Sequence, residues 1–157
     1  VSTEIEEGLG LQLDFGKLNA VAATDQRVIP VVLQNADSNA VLFVGYANQL
    51  ALEATLAEGI AVLWSTSRNE LWRKGATSGD TLTVVDVRVN CEQNSVLYRV
   101  LPETGGVCHT KGETGASRST CYYRTITRAD ELAFVALEPG GSEPGTSTSV
   151  SGGEASE

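Results

Sequence analysis

The scarcest residues of the chain are gathered in one stretch. GVCHTKGETGASRSTCYYR, residues 106 to 124, holds two of the three cysteines, Cys108 and Cys121, and the only histidine, His109, among glycine, serine and threonine. The third thiol, Cys91, has 16 residues between it and Cys108, and 12 residues separate Cys108 from Cys121. That is not the paired C-x-x-C of a structural zinc ribbon, but three thiolates with no fourth match a catalytic zinc, which keeps one position open for water. Zinc held this way lowers the pKa of its water towards neutrality. His109, next to Cys108, is suited to carry the proton or to replace one thiol as a ligand. Each residue alone also has a plainer reading: a lone cysteine is most often a small apolar core residue, and a lone histidine beside it a surface residue. The thiols therefore have to be weighed as a set.

A second stretch, STSRNELWRKGATSG at 65 to 79, sets Arg68, Arg73 and Lys74 against Glu70 alone. It reads either as a solvated helix face with charges of both signs or as a local basic pocket. The choice matters because the net charge is -9. A chain so acidic offers nucleic acid no broad basic surface, and an anionic ligand has to find a local one. The 157 residues, 41% of them hydrophobic, suit one domain with a real core. No apolar run approaches the roughly 20 residues of a membrane span, and the first residues, VSTEIEEGLGLQLDFGKL, lack a basic region followed by an apolar block. The expectation is a soluble, cytoplasmic protein with reduced thiols and no membrane or nucleic-acid partner.

The elements that must position these residues read as follows. RVIPVVLQNADSNAVLFVGY, 27 to 46, has two β-branched runs around a polar turn and predicts a hairpin. ANQLALEATLAEGI predicts a helix over 48–58, with Asn48 as N-cap and Gly59 as the left-handed residue that ends it. A short strand, IAVLW, follows, and the basic segment is expected to start another short helix near Ser67. TLTVVDVRVNCEQNSVLYRV, 81 to 100, predicts a second hairpin around EQNS. Strand parity puts Val87, Val89 and Cys91 on one face, and Arg88, Asn90 and, if the strand persists, Glu92 on the other. CYYRTI is a further strand candidate, ADELAFVALE a short helix or strand, and LGLQLDF near the start a strand candidate. The tail over 138–157, with four glutamates, no basic residue and almost nothing apolar, is expected to be disordered beyond a domain spanning 1–137. The sum is an α+β fold: an antiparallel or mixed sheet built from hairpins, with a few helices.

Three of these stretches together resemble the phosphoribosyl-AMP cyclohydrolase family: LWSTSRNELWRKGATSGD, the CHT and SRSTCYYR around the last two cysteines, and VIPVVLQNADSNAVLFVGYAN before them. The likeness runs in consistent order over about residues 27 to 124. It implies a zinc- and magnesium-dependent hydrolase of histidine biosynthesis that opens the purine ring of phosphoribosyl-AMP between N1 and C6. It also implies an intertwined homodimer with zinc ligands drawn from both chains. By motif, Cys91, Cys108 and Cys121 take the zinc positions and His109 the catalytic one. Trp64, Ser65, Ser67, Arg68, Trp72, Arg73, Lys74, Thr77 and Ser78 would line the pocket for a nucleotide substrate, the basic and hydroxyl groups holding its phosphates.

The chain departs from that pattern in three places. The family's D-C-D-x-D, whose aspartates hold magnesium, reads NCEQN here, so Asn90, Glu92 and Asn94 stand where carboxylates are expected. One carboxylate in place of three should weaken a magnesium site severely. The loop between the last two cysteines is twice the family's six residues, and Asn35 replaces a common aspartate. These changes make a divergent paralogue acting on another N-alkylated purine or related heterocycle the alternative, with a non-catalytic zinc-binding module behind it.

Overall fold

The computed structural model describes residues 3–135. The expected tail at 138–157 and the domain end at 137 lie outside the described residues. Both predicted hairpins form. β1 (Ile29–Asn35) pairs antiparallel with β2 (Val41–Ala47), and β5 (Leu82–Val89) pairs antiparallel with β6 (Val96–Pro102). β1 and β6 then join in parallel, which gives one mixed sheet in the order β2-β1-β6-β5. Strands β2 and β5 are therefore its two edges.

The predicted helix is α3 (Gln49–Glu58), with its ends where the sequence puts them. Asn48 Oδ1 accepts from the Ala51 N–H at 2.9 Å, and Gly59 stands at φ 71° in the left-handed region. Thr55, fully buried on this helix, ties it to β3 (Val62–Ser65): its Oγ1 accepts from the Val62 N–H at 3.0 Å. Its own proton goes to the Ala51 or Val62 carbonyl, at 2.8 and 2.9 Å. Around this link Val31, Leu33, Leu63, Leu82, Tyr98 and Val100 form the core, all at 0% exposure. Burying side chains of this size contributes about 1.5–3 kcal/mol each, so this is the face of the sheet that holds the fold together.

Four expectations change. No helix starts near Ser67: residues 66–69 are a turn and β4 (Glu70–Arg73) pairs back onto β3, Ser65 opposite Glu70 and Val62 opposite Arg73. Asn69, at φ 55°, supplies the left-handed step that reverses the chain, and the pairing of Leu71 and Trp72 with β3 overrides the segment's helical composition. LGLQLDF makes only a bridge from Gly10 to Glu131, between two short helices, α1 (Thr3–Glu7) and α2 (Lys17–Ala23); Leu9, Leu13 and Phe15 have no strand to cover them and stay exposed. CYYRTI becomes a strand only from Arg124, where β7 (Arg124–Arg128) pairs with β8 (Glu131–Phe134). The parity carried to Cys91 does not hold, because β5 stops at Val89 and Cys91 lies in the turn beyond it. Among the described residues no helix is long and apolar enough to cross a membrane.

Candidate active site

The Gly/Ser/Thr-rich stretch that carries Cys108 and His109 is folded on itself. The Val107 and Cys108 N–H groups both donate to the Arg118 carbonyl at 2.9 Å, Arg118 N–H returns to the Thr110 carbonyl at 3.1 Å, and Gly112 N–H reaches Ala116 O at 2.9 Å. Lys111 Nζ donates to Ser117 Oγ at 2.7 Å. The twelve-residue spacer is thus a small hairpin whose base brings Cys108 and Cys121 together. Cys121 is fastened to the sheet edge, its N–H donating to Leu42 O at 2.8 Å, while the Thr120 hydroxyl donates to the Val41 carbonyl at 2.9 Å. Only glycine fits at 106, where a Cβ would meet Ser117 Cβ at 2.7 Å.

The two thiols shift each other's titration in opposite directions. Hydrogen bonding from Cys121, then from the Thr110 hydroxyl at 3.1 Å, holds the buried Cys108 thiol down at about 5. Cys121 is pushed up, because its proton is held against the Cys108 sulfur and because it is partly desolvated. Near neutral pH the pair carries one negative charge. Lys74 lies buried nearby, its Nζ 3.5 Å from the Asp80 carbonyl; burial lowers its pKa, and the charges of Asp80, Cys121 and Cys108 partly restore it. Asp80 closes the set. Its carboxylate accepts from the Thr104 hydroxyl at 2.6 Å and Ser117 Oγ at 2.7 Å, and Thr104, Ser117 and Lys74 hold it below the usual carboxylate range. Gly75, at φ 84°, lets the chain after Lys74 pass against the Asp80 backbone, where a Cβ would come within 2.3 Å.

The expected pocket residues divide. Lys74 joins the thiols, but Arg73 is engaged, its guanidinium bidentate on Glu58 at 2.7 and 3.0 Å. Arg68 pairs with Glu70 at 3.1 Å, both exposed. Trp64 and Ser65 lie on β3, where Trp64 Nε1 donates to Asn69 Oδ1 at 3.2 Å; Ser65 Oγ accepts from the Arg68 N–H at 3.3 Å and meets Ser67 Oγ at 3.4 Å. Trp72 on β4 packs towards Phe43, with ring centroids 6.1 Å apart. Thr77 and Ser78 are exposed in the turn after Lys74, and Ser78 Oγ accepts from the Asp80 N–H at 3.2 Å.

Cys91 is not brought to the pair in this chain. It is exposed in the turn after β5, whereas Cys121 is tied to β2, on the opposite edge of the sheet. Three strand spacings amount to roughly 14 Å, whereas two sulfurs on one zinc lie roughly 4 Å apart. Among the described residues no three His, Cys, Asp or Glu side chains cluster as metal ligands. The Cys91 turn is closed by amides instead. Asn90 Oδ1 accepts from the Asn94 and Ser95 N–H groups, both at 3.0 Å; Asn90 Nδ2 donates to Asn94 Oδ1 at 2.7 Å, and Asn94 Nδ2 to Glu92 at 3.1 Å.

His109 is exposed and meets a residue that the sequence reading leaves aside: its Nε2 lies 2.6 Å from Glu6 Oε1. Glu7, Asp80, Thr110 and Arg118 are likewise absent from the expected set. Asp80 closes the quoted motif and could have been found there. The acidic pair of IEEG carries no local signal, since Glu7 binds Arg118 across 111 positions.

Comparison with known proteins bears on the same residues. The family model described as phosphoribosyl-AMP cyclohydrolase matches residues 43–123, from β2 to the residue before β7. The phosphoribosyl-AMP cyclohydrolase of Sphingopyxis alaskensis is 43% identical over 109 residues, 69% of this chain and 81% of that protein. That of Haloarcula marismortui is 43% identical over 106 residues, 68% of this chain and 82% of its own. The histidine biosynthesis bifunctional protein HisIE of Thermus thermophilus is 44% identical over 119 residues, 75% of this chain but 52% of that longer protein. With both thiols, His109 and Lys74 inside the matched span, the chain belongs to the phosphoribosyl-AMP cyclohydrolase family.

Proposed function

We propose that this chain hydrolyses phosphoribosyl-AMP, opening its purine ring between N1 and C6 as a step of histidine biosynthesis. The observation that carries the reading is the hairpin that brings Cys108 and Cys121 to its base, with His109 next to Cys108, inside the span that matches the family. N1-alkylation makes the purine a cation and C6 an electrophilic amidine carbon. Water adds at C6 and gives one proton to His109, which hands it to N1 as the C6–N1 bond breaks. The second proton of the water leaves to solvent as the C6 carbonyl forms. Lys74 and the hydroxyls of Ser65, Ser67, Thr77 and Ser78 are the groups left to meet phosphate. Arg73 is held by Glu58 and contributes less.

The donor set fits zinc, since a thiolate at neutral pH paired with a second thiol suits a soft cation. Cys108 and Cys121 of one copy and Cys91 of a second would hold it. When bound, zinc supplies the Lewis acidity that makes water nucleophilic near neutral pH. The turn that carries Cys91 borders an open groove of about 390 Å³ lined by Val32, Val41, Val89 and Leu97, and Val41 and Val89 there are 46% and 59% exposed. A second copy is the occupant that both covers these side chains and completes the sulfur set, hence a homodimer. Magnesium does not fit: the Asn90 and Asn94 amides are spent on each other and on backbone, and only Glu92 offers a carboxylate. Reduced thiols and a biosynthetic role suit the cytoplasm.

Purified chain supplied with zinc should convert phosphoribosyl-AMP to the ring-opened product, and lose turnover on chelation or on Cys108→Ser. Absence of turnover by folded, zinc-loaded protein would reject this reading.

A further inference from the structure

The strongest observation outside the matched span is what the N-terminal segment does to the Cys108 hairpin. Its backbone is pinned at several points: Tyr123 OH donates to Glu6 O at 2.7 Å, Arg124 to Ile5 O at 2.6 Å and Gly8 O at 2.8 Å, and Leu132 N–H to Leu9 O at 2.8 Å. Glu7 clamps Arg118 bidentately at 2.6 and 2.8 Å, with the guanidinium stacked 4.0 Å over Tyr123. Arg118 is the residue whose carbonyl receives the Cys108 N–H. Segment and hairpin are therefore one frame. Within it, Glu6 has its backbone fixed and its carboxylate on His109 Nε2 at 2.6 Å.

An exposed pair of this kind adds little to stability, and the side chains here are 79% and 40% exposed. Stability is thus a weak reason for the contact; orientation is a better one. A carboxylate that accepts from one ring N–H fixes the imidazole tautomer and ring plane and leaves the other nitrogen as the proton acceptor. We infer that Glu6 is a positioning residue for the hydrolysis: it holds His109 as the Nε2–H tautomer, so that Nδ1 is the nitrogen that takes the proton from water and returns it to N1. The inference rests on the role given to His109 above.

His109 is the only histidine, so full-length protein labelled with ¹⁵N in histidine gives one pair of imidazole nitrogens in a long-range ¹H–¹⁵N spectrum. The neutral ring should show Nε2 protonated, and Glu6→Ala should shift the pattern towards a tautomer mixture. In turnover, Glu6→Ala should lower kcat about tenfold with KM and melting temperature little changed, the size typical of losing a carboxylate behind a functional histidine. Glu6→Gln, which keeps an acceptor oxygen, should recover part of the loss. In a His109→Ala background, Glu6→Ala should cost nothing further. An Nδ1–H ring, or unchanged kcat in Glu6→Ala while His109→Ala has lost turnover, overturns the inference and leaves the proposed function standing. If His109→Ala keeps full turnover, the role given to His109 falls and the inference falls with it.

Discussion

In zinc-free, reduced protein Cys108 should already be a thiolate at neutral pH. With its thiol held at about 5, about 99% of it is ionised at pH 7, against about 3% for an ordinary thiol near 8.5. The leading cause is the hydrogen bond from Cys121, and the Thr110 hydroxyl adds to it. Removing the first donor with Cys121→Ala should therefore move the midpoint of Cys108 upward, with burial pushing it further up and the Thr110 hydrogen bonds opposing that rise. The assay is ultraviolet thiolate absorbance against pH, in a Cys91→Ser background so that only the pair reports. The same coupling sets a stability profile. A depressed thiol adds stability that is complete above its unfolded value and lost as pH falls through its folded one, whereas Cys121, pushed up, adds stability below its unfolded value and loses it above. Metal-free protein should thus gain stability from the pair between about pH 5 and 8.5 and lose it beyond. A Cys108 midpoint near 8.5 in the intact pair, or one that ignores Cys121→Ala, would refute the coupling of the two thiols.

Further outcomes follow from the same contacts. Lys74→Ala should weaken substrate binding tenfold or more and disturb the thiol pair, whereas Arg73→Ala, which removes a cation already held by Glu58, should raise KM by less than about threefold; steady-state kinetics of the two separate the roles. Magnesium added to zinc-loaded protein should change neither turnover nor melting temperature, and Asn90→Asp with Asn94→Asp should introduce a magnesium-dependent rise in melting temperature. Thr55→Val, which leaves the Val62 N–H without its acceptor, should cost about 1–3 kcal/mol in urea denaturation, while Thr55→Ser keeps the acceptor and costs less.

What could be read from the chain was what its neighbours in sequence decide. Asn48 and Gly59 bracket α3 because a cap and a left-handed stop act over three or four residues, and the two hairpins follow from β-branched runs on either side of polar turns. The turn at 66–69 was not legible, because nothing local obliges Asn69 to turn left-handed until β4 has a strand to pair with. The reach of β5 to Cys91 failed because Asn90, whose Oδ1 collects the Asn94 and Ser95 N–H groups, closes the turn directly after Val89. Of the site, the two thiols, His109 and Lys74 were visible as residue types. Thr104 and Ser117 were not, since the hydrogen bonds that join them to Asp80 span 24 and 37 positions. The frame around Glu6 and Glu7 is longer-ranged still.

The account depends most on sulfurs from two copies completing one site, and subunit mixing tests that directly. Cys91→Ser and Cys108→Ser should each be folded and inactive alone. After subunit exchange at equal amounts, half the dimers pair one of each and carry one intact site of two, so turnover should return to about a quarter of the unmodified level. No recovery with exchange demonstrated, or full activity in Cys91→Ser alone, would contradict it.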